Sequence, residues 1–251
     1  MEQAIVVTSF GTSVPEARAS ITAVEEVLKG AAPDCVFTRA FTSSIIRRIL
    51  AGRGEPVPSL TQALEQLCAD GIRRVVVQPT HLLYGREYDK LKGEAEAFAA
   101  RFDEVVVGRP LLADTGDLLR FADGLSRTYP ERDGEAVVFM GHGTEHFANV
   151  VYPALQTALH LKGRDDLYIG TVEGWPSLDD ILGQLKERRV RLAPLMLVAG
   201  DHAKNDMAGD GPDSWKSRLE QMGCSVACSI TGLGMLPWVQ EMYRERLLDV
   251  L

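Results

Sequence analysis

Three side chains that could jointly hold a metal ion follow apolar, strand-like segments in the second half of the 251-residue chain. His142 lies in Met-Gly-His-Gly-Thr, Glu173 in Thr-Val-Glu-Gly-Trp and His202 in Gly-Asp-His-Ala-Lys. Two imidazoles and one carboxylate form an open site for cobalt, nickel, iron or zinc, with positions left for water or substrate. A neutral histidine there could also accept a proton. The ligand types do not choose among these ions, because metal availability and coordination geometry decide selectivity.

The elements that must position these residues alternate along the chain. Short β-branched runs predict strands, and segments with apolar residues at helical spacing predict helices between them. The predicted strands are 4–8, 36–40, 74–78, 104–107, 136–140, 168–172, 191–197 and 225–229. The predicted helices are 15–29, 60–68, 88–101, 117–127, 177–186, 215–222 and a final one at about 237–251. This alternation is typical of α/β proteins with parallel sheets.

A weak internal repeat divides the chain into two similar halves. Residues 73–90 align without a gap with 188–205, and 6–12 align with 138–144. The repeat predicts two Rossmann-like lobes, each with a four-stranded parallel sheet, over residues 1–128 and 129–251. The polar segment 128–134 marks the predicted boundary. The final helix could pack back on the first lobe.

The repeat also predicts where ligands bind. It sets Phe10 opposite His142 and Glu87 opposite His202, and the apolar register of the second strands sets Thr42 opposite Glu173. In parallel α/β sheets, ligands bind beyond the carboxyl ends of the strands, so two facing lobes would enclose an active-site cleft. Substrate-binding candidates in the first half are Ser9, Phe10, Thr12, Ser13, Thr42, Tyr84 and Glu87. Carboxylate-binding candidates are Arg39, Arg47 and Arg86.

Other histidines and the cysteines have simpler interpretations. His146 is the best rival metal ligand, since it lies four residues after His142, but the intervening glycine argues against a continuous helix. We expect His81 to be a packed or ligand-facing residue and His160 to lie on the surface. The four cysteines lack paired CxxC motifs, which favours reduced structural thiols over a metal cluster or disulfide.

Composition excludes several classes of protein. A net charge of -8 argues against general nucleic-acid binding, although a local basic pocket remains compatible with it. No apolar run is long enough for a membrane helix, and the first residues do not resemble a signal peptide. These features predict a cytoplasmic protein without nucleic-acid or membrane partners.

Four segments resemble the anaerobic sirohydrochlorin cobaltochelatases, which are class II chelatases. They are Val-Thr-Ser-Phe-Gly-Thr-Ser (7–13), Phe-Thr-Ser (41–43), Val-Phe-Met-Gly-His-Gly (138–143) and Pro-Leu-Met-Leu-Val-Ala-Gly-Asp-His-Ala-Lys-Asn-Asp-Met (194–207). The resemblance implies a ferrochelatase-like fold with sirohydrochlorin between two lobes. It also implies a lyase that inserts Co²⁺ into this acidic tetrapyrrole during anaerobic cobalamin (vitamin B12) biosynthesis.

Residue roles follow from the same resemblance. His142 matches the family's proton acceptor and metal ligand, and Glu173 and His202 match its other metal ligands. The catalytic residues are then His142 and Glu173, with Co²⁺ as the metal substrate and no organic cofactor. Iron or nickel as the physiological ion, a non-catalytic tetrapyrrole or metal carrier, and assembly into a homo-oligomer stay open alternatives.

Overall fold

A computed structural model describes residues 3–251, which contain eight β-strands and nine α-helices. The strands are β1 (Gln3–Ser9), β2 (Val36–Phe41), β3 (Arg74–Pro79), β4 (Glu104–Val107), β5 (Glu135–Gly141), β6 (Leu167–Thr171), β7 (Arg189–Pro194) and β8 (Ser225–Cys228). The helices are α1 (Arg18–Ala31), α2 (Ser44–Gly52), α3 (Leu60–Ala69), α4 (Arg86–Glu96), α5 (Thr115–Thr128), α6 (Val151–Leu161), α7 (Leu178–Leu182), α8 (Trp215–Gln221) and α9 (Pro237–Leu248).

The strands form two four-stranded parallel sheets with the same order. The first sheet is ordered β2-β1-β3-β4 and the second β6-β5-β7-β8. Ala4 and Val6 pack with Leu64 of α3, while Ile5 and Val7 on the opposite face are also fully buried. Such continuous burial is typical of parallel strands covered on both faces. The predicted α/β class with two four-stranded parallel sheets is therefore confirmed.

The chain forms two compact units whose bounds differ from the predicted lobes. One unit runs to Ala113 and also includes Gly234–Leu251, and the other is Asp114–Leu233. Helix α5 belongs to the second unit because it packs against α6. The polar segment 128–134 is thus the connection from α5 to β5 and does not separate the two cores. The final helix α9 packs against α1 in the first unit.

Backbone pairing corrects one of the three predicted matches between the halves. The N–H of Ser43 donates to the carbonyl of Phe10, just as the N–H of Glu173 donates to that of His142. Ser43 is therefore the equivalent of Glu173, and the predicted match of Thr42 with Glu173 is wrong by one residue. Aligning the apolar residues of the second strands gave the wrong match because Val172 extends the apolar run one residue beyond β6.

Two helices were missing from the sequence prediction. Apolar residues recur at helical spacing in α2, at Ile45, Ile46, Ile49 and Leu50, so its sequence did carry a helical signal, although only Leu50 is buried in the structure. Helix α6 lies in a largely apolar segment whose buried residues include Tyr152 and Leu155.

Between residues 3 and 251, no helix is long and apolar enough to cross a membrane.

Candidate metal centre

The three candidate ligands lie at one edge of the second sheet. His142 follows β5, Glu173 lies two residues after β6, and His202 precedes a short π-helix, Ala203–Met207, that comes after β7. Strands β6, β5 and β7 are neighbours and parallel, so their carboxyl ends meet at the same edge. This edge is where open α/β sheets bind ligands.

The geometry of these side chains suits one metal ion. One ligand atom from each of His142, Glu173 and His202 lies within 4.8 Å of the others. The two imidazole rings are nearly perpendicular, at 88°, with centroids 4.9 Å apart. His142 Nδ1 lies 3.7 Å from Glu173 Oε2, and their side chains are 48% and 59% exposed. The group is therefore open enough to leave coordination positions for a substrate.

A glycine lets the His142 and Glu173 loops touch. Gly143 has a φ of +80°, and a Cβ there would lie 2.5 Å from the backbone nitrogen of Gly174. The backbones of the two loops consequently meet with no room for a side chain. His142 Nδ1 lies 3.1 Å from the Gly143 carbonyl, a contact that favours the tautomer with Nε2 free for a metal ion or proton.

Tyr152 of α6 contacts the beginning of the same loop. Its hydroxyl accepts a hydrogen bond from the Gly143 N–H at 3.4 Å. Its ring lies 2.4 Å from where a Cβ of Gly141 would be, so the strand end needs glycine at that position. Burial raises the pKa of Tyr152, which keeps the hydroxyl protonated.

Asn149 joins the two ligand-bearing loops. Its Oδ1 accepts from the Thr144 N–H at 3.1 Å, and its Nδ2 donates to the Trp175 carbonyl at 2.6 Å. These bonds hold the loop after His142 to the loop after Glu173. Asn149 is therefore a positioning residue for the two side chains.

We expect Asn149→Ala to lower metal insertion by about tenfold, because loss of an outer support typically costs that much. The free energy of unfolding should fall by about 1–2 kcal/mol as two hydrogen bonds are lost. Gln156→Ala is the matched control, since its amide also bonds two backbone groups, those of Leu167 and Ile169. Urea unfolding and steady-state rates should show similar destabilisation in both variants but an activity loss only in Asn149→Ala. Equal activity losses would contradict the positioning role.

His202 is oriented by the next turn of its own helix. Its Nδ1 is hydrogen-bonded to Asp206 Oδ2. A carboxylate on one ring nitrogen fixes the tautomer and aims the other nitrogen at a metal ion. The π-helix that carries Asp206 is a rare conformation found mostly at functional sites.

Sequence reasoning missed three supporting residues, namely Asn149, Tyr152 and Asp206. The spacing of His202 and Asp206, four residues apart, was a usable signal for a pair on one helical face. No comparable signal pointed to Asn149 or Tyr152, because both act through backbone groups brought close only by folding.

The predicted substrate-binding residues lie in the first unit. Phe10 and Tyr84 are 50% and 37% exposed, whereas Ser9 and Thr42 are buried. Ser9 accepts a hydrogen bond from Thr80, and the Thr12 hydroxyl accepts one from the Val14 N–H as a turn residue. Most of the set follows the strands of the first sheet, and its members are Ser9, Phe10, Thr12, Ser13, Thr42, Tyr84 and Glu87.

Two of these residues have buried atoms that no protein group satisfies. The hydroxyl of Thr42 and Oε2 of Glu87 have no hydrogen-bond partner among the described residues. Glu87 lies in the first turn of α4, where a carboxylate is favoured by the helix dipole. Unsatisfied polar atoms of this kind are suited to contact a ligand or ordered water.

His146, the predicted rival ligand, and His160, predicted to lie on the surface, have other partners. Nδ1 of His146 accepts from the Ala148 N–H at 3.1 Å and so caps the helical turn Phe147–Val150. His160 is exposed on α6 and pairs with Asp165. Neither belongs to the cluster of His142, Glu173 and His202.

His81 is expected to make stability depend on pH. Both of its ring nitrogens are buried without a partner, and burial lowers its pKa to about 4, opposed by the nearby Glu87. The unfolded chain binds a proton below a pH of about 6.5, while the folded chain resists it. The free energy of unfolding should therefore fall by about 1–2 kcal/mol between pH 7 and pH 5.

Urea unfolding at both pH values checks this, with His81→Leu as the reference. The variant should lose less stability on acidification than the unchanged protein does. The same acid sensitivity in both would show that His81 is not the titrating group.

Comparisons with known proteins first identify the fold. The sirohydrochlorin chelatase SirB from Bacillus subtilis subspecies spizizenii, in a structure with cobalt, superposes with a TM-score of 0.64 and 16% identity. The match covers 99% of this chain and 95% of SirB. The fold of this chain is therefore the α/β chelatase fold.

Two curated relatives and a family model then give the family. The "Sirohydrochlorin cobaltochelatase" of Salmonella typhimurium is 38% identical over 97% of this chain and 94% of its own length. The "Sirohydrochlorin cobaltochelatase CbiKC" of Nitratidesulfovibrio vulgaris is 38% identical over 88% of this chain and 81% of its own length. The family model "Cobalt chelatase (CbiK)" matches residues 3–251. The chain belongs to the cobalt chelatase (CbiK) family, and the resemblance seen in the sequence motifs is confirmed.

Proposed function

We propose that this chain is a sirohydrochlorin cobaltochelatase. It inserts Co²⁺ into sirohydrochlorin with release of two protons, as a step of anaerobic cobalamin biosynthesis. Membership of the cobalt chelatase family supports this function across nearly the whole chain. The observation that carries it is the cluster of His142, Glu173 and His202, whose ligand atoms lie within 4.8 Å of one another.

The chemistry of insertion matches these three side chains. A free tetrapyrrole loses two pyrrole protons as the metal enters, so the site needs a base and ligands that hold the ion without trapping it. His142 acts as the proton acceptor and a metal ligand. Glu173 offsets the charge of the cation. His202, whose ring is oriented by Asp206, is the third metal ligand. Because the protein supplies so few ligands, the ring nitrogens of the tetrapyrrole can replace them on the ion.

The first unit supplies the groups that hold the ring in this proposal. Phe10 and Tyr84 offer exposed aromatic surface for an apolar macrocycle. Thr42 and Glu87 offer unsatisfied polar atoms. Ser9, Thr12 and Ser13 complete the predicted set. We further propose that the protein acts in the cytoplasm, with sirohydrochlorin and a divalent ion as its small-molecule partners.

A multiple-turnover assay tests the function. Sirohydrochlorin and Co²⁺ are supplied in large excess over the protein, and the absorbance of the metallated ring is followed with time. We expect many equivalents of product per protein molecule. Product that stops at one equivalent would contradict an enzyme and favour a carrier of tetrapyrrole or metal.

A competition assay tests the choice of ion. Co²⁺, Fe²⁺ and Ni²⁺ are supplied together at equal free concentrations, and the products are separated by their absorbance. We expect the cobalt product to dominate. The competition is needed because a site with two imidazoles and a carboxylate accepts all three ions. A larger amount of the iron or nickel product would overturn cobalt as the preferred ion.

A further inference from the structure

The first unit contains a pocket that holds one of the carboxylate-binding candidates predicted from the sequence, Arg47. Its volume is about 600 Å³, and it lies between β2, helices α2 and α3, and the segment 56–58. Arg47 and Arg48 of α2 line it, together with the apolar residues Ala51, Pro56 and Pro58. The pocket is distinct from the cluster of candidate metal ligands, which belongs to the second unit.

The two arginines have no counter-charge within the described residues. No lining residue is acidic, and neither guanidinium has a hydrogen bond or ion pair with a residue in 3–251. Other arginines of this unit are paired, such as Arg39 with Glu25 and Arg74 with Glu104. The Nε of Arg47 is moreover buried without a partner. Two unpaired cations in one pocket of a chain with a net charge of -8 indicate a site for an anion.

The remaining lining indicates the kind of anion. A guanidinium binds carboxylates in a planar, two-point arrangement. The apolar side chains beside the arginines would contact a hydrocarbon body, and the neutral residues Thr38, Gln62 and Gln66 can donate further hydrogen bonds. We infer that this pocket binds a carboxylate group carried on an organic ligand. The carboxylate comes either from the tetrapyrrole, a case that rests on the proposed function, or from a separate organic acid.

Isothermal titration with isophthalate, an aromatic dicarboxylate, tests for the site directly. The full chain is used at low salt and without metal, so the result does not depend on chelatase activity. We expect one binding site, with affinity at least tenfold weaker in Arg47→Gln and in Arg48→Gln and partly restored in Arg47→Lys. Arg73→Gln is the matched control, because it removes one positive charge from an exposed pair with Asp103 in the same unit. Absence of binding, or equal binding by control and pocket variants, would overturn the inference.

Kinetics with the same variants separate the two sources of carboxylate. A KM for sirohydrochlorin raised at least fivefold in both glutamine variants, and unchanged in Arg73→Gln, would assign the pocket to the tetrapyrrole. An unchanged KM together with lost isophthalate binding would assign it to a separate organic acid. Arg48 is exposed, so Arg48→Gln gives a folded variant if the change at Arg47 disturbs the helix. Loss of isophthalate binding only in a variant whose melting temperature has also fallen would count against the site.

Discussion

His142→Ala is expected to lower kcat/KM for cobalt insertion by about 10²–10⁴-fold, the usual contribution of a positioned acid or base. The side chain is 48% exposed and faces the ring of His202, so its loss should remove a base and a metal ligand while leaving the fold intact. Steady-state rates with sirohydrochlorin and Co²⁺ measure the effect. The melting temperature should not change.

His160→Ala is the matched control for this variant. It removes an exposed histidine of the same unit that lies in the last turn of α6, pairs with Asp165 and is not part of the ligand cluster. Its insertion rate should equal that of the unchanged protein. The double variant His142→Ala/His202→Ala should be little worse than the poorer single variant, because ligands that act as a unit are not additive. Near-normal turnover by the double variant would contradict the proposed site.

Gly143→Ala is expected to reduce both activity and stability. The residue has a φ of +80°, and an added Cβ would lie 2.5 Å from Gly174 N, so the His142 and Glu173 loops would have to separate. A displacement of about 1 Å at reacting groups can cost about 10²-fold in rate. Combined steric and backbone strain should lower the free energy of unfolding by about 2–4 kcal/mol. Urea unfolding and insertion rates measure the two effects.

Gly163→Ala isolates the backbone contribution to that effect. Gly163 has a φ of +76° but nothing within 4 Å of an added Cβ. It should therefore cost only the left-handed backbone strain, about 1–2 kcal/mol, with no change in insertion rate. If Gly143→Ala costs no more stability than Gly163→Ala and retains activity, the close contact of the two loops does not position the ligands.

Much of this fold could be predicted because the internal repeat is visible in the sequences of the segments that form the strands. The aligned segments 73–90 and 188–205 contain β3 and β7. The two strands are separated by the same number of residues as the two segments, so the repeat aligned them correctly. Polar residues directly after apolar strands then identify an edge where ligands converge, which is how His142, Glu173 and His202 could be grouped without coordinates. Local pattern was sufficient for His142 and Glu173, which follow β5 and β6 within two residues, whereas His202 lies eight residues after the end of β7 and was grouped with them through the repeat.

Features that depend on packing between distant segments were not predictable. The unit boundary before Asp114 follows from the packing of α5 on α6, which no turn composition reveals. The equivalence of Ser43 with Glu173 appears only in backbone pairing, since the apolar run continues through Val172. Asn149 likewise gains its role from two loops that lie far apart in sequence.

Diffraction from a crystal soaked with Co²⁺, recorded at the cobalt absorption edge, tests the proposed metal site most directly. The anomalous signal locates the ion independently of any assumption about its ligands. We predict one peak within coordination distance of His142, Glu173 and His202, at about 2.0–2.2 Å from nitrogen and oxygen. A cobalt ion held instead by His146, His160 or the cysteines, with the three side chains unliganded, would contradict it.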